Sequence, residues 1–149
     1  MQNTLLLIHI LAASAWLGGN VVQIIAGPAM EKAGAGPHAA WVRATVKLGR
    51  WLYTPAALIA LVTGFELVRS NSAYEFSAAF VSLGFFAVIV GATLGMAVFG
   101  PTGRALADSI DRGDYTLVRT LKGKIRMWGT IDTVLVLVTI YAMVAKLGA

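Results

Sequence analysis

Four apolar stretches constrain this chain more than any other feature. They run roughly from Thr4 to Ala26, Trp51 to Val68, Phe76 to Phe99 and Met127 to Ala145, each about 18–24 residues long and almost free of charge. At ~1.5 Å of rise per residue, a helix of that length crosses a ~30 Å hydrocarbon layer. An isolated strand in lipid leaves its backbone groups without partners, so all four stretches are expected to be helices. Composition agrees: 58% of the 149 residues are hydrophobic and 13% are charged, against about a quarter charged in a soluble domain. The expected fold is all-α and polytopic. One transmembrane domain over residues 1–149 would consist of two helical hairpins.

The basic residues are unevenly placed. Lys32, Arg43, Lys47 and Arg50 lie between the first two stretches, and Arg104, Arg112, Arg119, Lys122, Lys124 and Arg126 between the last two. Arg69 and Lys146 remain for the other side. The positive-inside rule then places both basic connections in the cytoplasm and both termini outside. The net charge of +5 is read as attraction to anionic lipids at the cytoplasmic face rather than to nucleic acid. The chain has no cysteine, which excludes thiolate metal sites and disulfides.

Both connections mix apolar and basic residues at helical spacing, over His38 to Leu48 and Leu106 to Leu121, the latter interrupted by Asp111-Arg112-Gly113-Asp114. Such amphipathic segments either lie in the interface or extend the spans into the cytoplasm. Gly27-Pro28 and Gly100-Pro101 are expected to end the first and third spans. Gly34 to His38 reads as a flexible turn with a solvated His38. Trp51, Tyr53 and Trp128 fall at the cytoplasmic boundary, where aromatic rings anchor helices.

The halves resemble each other. Val42-Arg43, Arg50, Thr54 and Leu61-Val62-Thr63 match Val118-Arg119, Arg126, Thr130 and Leu137-Val138-Thr139 at an offset of 76 residues, and the two Gly-Pro pairs match at 73. A parallel internal repeat or chance matching of apolar helices both account for this.

Polar residues inside the spans are the candidate functional residues. His9, Trp16, Asn20 and Gln23 share one narrow face of the first helix with Ala13. A polar row of this kind belongs against protein or water. His9 has three readings: a hydrogen bond to a neighbouring helix, ligation of haem or a metal, or proton handling. Glu66 lies at similar depth, with Arg69 three residues on; it pairs either with that arginine or, between helices, with His9. Asp132 is an inner-leaflet acid, preceded by Lys124 and Arg126 and read as a structural anchor. It is too far from His9 in depth to share a metal site.

Small residues offer contact faces: Gly84, Gly91 and Gly95 on the third span, and Ala56, Ala60 and Gly64 on the second. They would serve the internal bundle or a partner subunit. Met96, Met127 and Met143 read as gap fillers. No phosphate-binding loop, nucleophile elbow or zinc-protease motif is present in the sequence, so no catalytic residues are assigned.

The stretch His9-Ile10-Leu11-Ala12-Ala13-Ser14-Ala15-Trp16-Leu17-Gly18-Gly19 resembles the first helix of a broad group of small bacterial membrane proteins. That group includes copper-resistance D proteins, the haem-carrying membrane protoporphyrinogen oxidase and related four-helix families of unknown function. Trp51-Leu52-Tyr53-Thr54-Pro55 with Leu61-Val62-Thr63-Gly64 resembles the second helix of the uncharacterised branch. The resemblance implies a bacterial inner-membrane location and makes His9 the counterpart of a functional histidine, with haem b or copper as the implied ligand. The oxidase also relies on a lysine in its third helix, whereas Phe76 to Phe99 contains no charge. The resemblance therefore favours the uncharacterised branch.

The leading expectation is a non-enzymatic accessory or structural subunit, packing against other membrane proteins or a second copy of itself. A haem- or copper-binding redox protein using His9 is the alternative, and a small transporter is the third.

Overall fold

Gly34 and Gly113 divide the chain at its basic end. Both have positive φ, +117° and +70°, a backbone region that glycine enters without a Cβ clash. On either side of them lie the helices of a computed structural model that describes residues 2–71 and 75–148. These are α1 (Gln2–Lys32), α2 (Ala35–Arg69), α3 (Ala79–Asp111) and α4 (Tyr115–Val144). All four are long and apolar enough to cross a membrane. Asp114 caps α4, its carboxylate accepting the Leu117 N–H at 3.0 Å.

The basic connections are thus almost wholly helix. Of the two expected arrangements they take the second, extending the apolar stretches instead of leaving them. Successive helices run antiparallel: α1 packs along α2 and α3 along α4, while α2–α3 and α1–α4 contacts close the bundle.

The helices run on through both Gly-Pro pairs. Pro28 lies inside α1, and Gly100-Pro101 lies within the continuous α3. Just before Pro101, the residues Gly95–Phe99 widen to i→i+5 hydrogen bonding. A widened turn relieves the clash of a proline ring with the preceding turn and absorbs its missing N–H. α2 does the same at Gly49–Tyr53, before Thr54-Pro55.

Two kinds of packing share the bundle. In its apolar part Trp16, Ala57 and Val136 form a core with Leu17, Tyr53, Val88 and Ile140. Ile25, Phe86, Ile89 and Val144 stand exposed on the outer wall. At the basic end the polarity inverts. Ala39, Val42, Leu106, Ala107 and Ile110 are buried, with Val118, Leu121 and Ile125 packed against them. Outside them Arg43 pairs with Asp111 and, at 3.8 Å, with Asp108, and Lys122 pairs with Glu31 at 2.5 Å. His38 is not solvated: it is buried in the first turn of α2, near Glu31 and Lys122. The turn ends at Gly34, so helix geometry carries His38 inward.

Candidate functional site

The polar face of α1 meets a different partner at each level. At the end away from the basic segments, the His9 Nδ1 lies 3.0 Å from the Thr63 hydroxyl on α2. That hydroxyl donates its one proton to the Ile59 carbonyl at 2.6 Å, so the imidazole Nδ1–H is the donor between them. The ring rests on Gly64, where an added Cβ would stand 3.1 Å from Cε1. Glycine therefore makes room for His9, and Thr63 fixes its orientation.

Two turns further along α1 lies the most buried polar group of the apolar part. Asp132, 5% exposed, accepts from the Trp16 indole N–H at 3.2 Å and from the Asn20 amide at 2.8 Å, both through Oδ2. The Asn20 amide also donates to the Thr133 hydroxyl at 3.2 Å, and Thr133 donates to the Gly129 carbonyl at 2.8 Å. Gly91 of α3 completes the node. A methyl group at that position would overlap the Trp16 ring, and it would stand 3.5 Å from Asp132 Oδ1. Three helices thus converge on one carboxylate. One turn beyond, the Gln23 amide donates to the Tyr53 hydroxyl at 2.6 Å.

His9, Trp16, Asn20 and Gln23 therefore share one helix face, but they form three separate contacts instead of one site. Glu66 does not reach His9. It binds Arg69 through three hydrogen bonds of 2.8–3.2 Å, because residues three apart on an exposed helix face meet without any help from packing. Asp132 takes its partners from α1, not from Lys124 or Arg126, which both stand exposed on α4.

The small-residue faces point inward. Gly91 receives Trp16, Gly64 receives His9 and Gly84 receives the Met143 methyl group. Ala56 and Ala60 are buried. Gly95, in the widened turn of α3, has no described atom within 4 Å of its Cβ position. Met143 fills a gap as expected, while Met96 and Met127 are exposed.

Sequence reasoning missed Thr63, Tyr53 and Thr133. Thr63 adjoins Gly64 on the small face of α2, so a signal was present. Tyr53 was read as a boundary anchor; in the bundle it packs inward against Trp16, Ala57 and Val136.

The described donors around His9 do not by themselves make up a copper site. Among the described residues no three His, Cys, Asp or Glu side chains come together as a metal site, and copper requires further nitrogen or sulfur donors. One groove is lined by Leu61, Val62, Phe65, Glu66 and Phe85, and another by Arg43, Val46, Lys47, Arg104, Ala107 and Asp108. Comparison with protein families, with curated proteins and with solved structures finds no match for this chain.

Proposed function

We propose that the chain is a non-enzymatic, multi-pass protein of a bacterial inner membrane, acting as a small structural or accessory subunit of a larger membrane assembly. One observation supports this reading above the others. Four polar side chains of α1, His9, Trp16, Asn20 and Gln23, make hydrogen bonds to α2 and α4. Among the described residues, every fully buried side-chain nitrogen and oxygen has a partner. Polar groups arranged in this way hold helices together. The apolar outer wall is then what the bundle offers to lipid and to neighbouring subunits. In this reading the basic end is cytoplasmic and both termini are outside, an orientation the charge asymmetry supports.

The two halves are read as parallel repeats. Thr63 and Thr139, matched at the offset of 76 residues, are both buried and both donate to the carbonyl four residues earlier. The widened turns do not follow the repeat, since they fall on α2 and α3.

The test is purification from the native membrane in mild detergent, with a visible spectrum of the same sample. A partner or second copy retained in fixed ratio, with no Soret band, is the expected result. A lone monomer contradicts the reading, and so does a Soret band that disappears in His9→Ala.

A further inference from the structure

We propose that the groove between α2 and α3 at the basic end binds the phosphate headgroup of an anionic phospholipid. The groove has a volume of about 340 Å³ and is lined by Arg43, Val46, Lys47, Arg104, Ala107 and Asp108. That lies at the small end of the ~300–1,000 Å³ range of ligand sites. Its lining carries three cations and one anion.

The charges are not equivalent. Arg43 is committed to Asp111 and Asp108. The other acids of this end are also engaged, Glu31 with Lys122 and Asp114 at the α4 cap. Lys47 and Arg104 make no side-chain ion pair among the described residues and are both exposed. Arg104 folds back along its own helix, its Nη1 lying 3.6 Å from the Cβ position of Gly100. Two uncommitted cations thus face one concavity.

Depth selects the occupant. Lys47 precedes Trp51, and Arg104 follows Phe99, by four and five residues. At ~1.5 Å per residue these separations are about 6 and 7.5 Å beyond the apolar stretches. The headgroup layer occupies about 5–8 Å on each side of the hydrocarbon. Basic pockets between helices at this level are suited to phospholipid headgroups. Val46 and Ala107 supply apolar surface for the glycerol end of the lipid, and Gly103 lets α3 approach Val46 closely there.

The inference rests on the chain being a membrane protein. Retention in the membrane pellet after a carbonate wash tests that reading separately. The experiment proper measures binding of phosphatidylglycerol to the full chain in detergent, by native mass spectrometry and by thermal shift. Phosphatidylcholine and inorganic phosphate serve as competing probes. Phosphatidylglycerol is expected to bind one per chain and to raise the melting temperature, where phosphatidylcholine and phosphate do neither. Lys47→Gln and Arg104→Gln should each weaken binding about fivefold, whereas Lys124→Gln and Arg126→Gln on α4 should leave it unchanged. Equal loss in the α4 variants would reduce the effect to general surface charge and overturn the site. Equal stabilisation by inorganic phosphate would overturn the lipid assignment, and absence of any phosphatidylglycerol effect on the unsubstituted chain would overturn the proposal outright.

Discussion

The apolar part of the bundle and its basic end are built from the same helices but held together differently. At the basic end Leu106, Ala107 and Ile110 are buried beneath a charged surface, as in a water-soluble helical bundle. In the apolar part many large hydrophobic side chains stand outside, among them Ile25 at 69% and Ile89 at 63% exposure, while Trp16 is buried. Its interior holds Gly64, Gly91, Thr63 and Asp132. Lipid is as apolar as leucine, so burying leucine there gains little, and close packing with hydrogen bonds must do the holding. A single helix such as α3 follows one rule before its widened turn and the other after it.

Substitutions that serve one part should fail in the other, and unfolding by SDS titration in mixed micelles measures the difference. Trp16→Ala is expected to cost the most, about 3–5 kcal/mol, because it empties the junction of α1, α3 and α4. Leu106→Ala should follow at about 2–5 kcal/mol, as a cavity in a water-type core. An effect near zero at Leu106 would erase the distinction between the two parts. Asp132→Ala should cost about 1–3 kcal/mol by stranding the Trp16 and Asn20 donors. Asp132→Asn should cost less, because its amide oxygen still accepts. Ile25→Ala in the same micelles should be neutral, since detergent or lipid replaces the lost contact. Arg43→Gln should have only a small effect, vanishing at high salt because the pair is solvent-exposed.

Much of this fold was legible in the pattern of apolar blocks and basic connections. Four helices, their helical extensions and the turn near Gly113 all followed from spacing and composition. The Gly-Pro pairs do not interrupt the helices: α1 runs through Pro28 as a regular helix, and α3 runs through Pro101 with a widened turn at Gly95–Phe99.

The polar face of α1 was equally visible, and Asp132 was visible on its own. Their meeting was not. Depth measured from Arg126 suggested an acid near a helix start, but α4 begins at Tyr115, so Asp132 lies in the middle of a long helix. Helix length beyond the apolar stretch is set by tertiary packing at the basic end, which hydropathy does not record. His38 shows the same effect, being carried into contact by a helix that begins earlier than its glycines suggest.

The central claim is that the polar face of α1 binds the bundle together. A double-mutant cycle on Asn20→Ala and Asp132→Ala tests it most directly, with each variant unfolded by SDS in mixed micelles. The account predicts that the double variant loses less than the sum of the singles, with a coupling of about 0.5–2 kcal/mol. Strict additivity, or a gain in stability on removing Asp132, would contradict it and return the carboxylate to the list of groups kept for some purpose other than holding the helices.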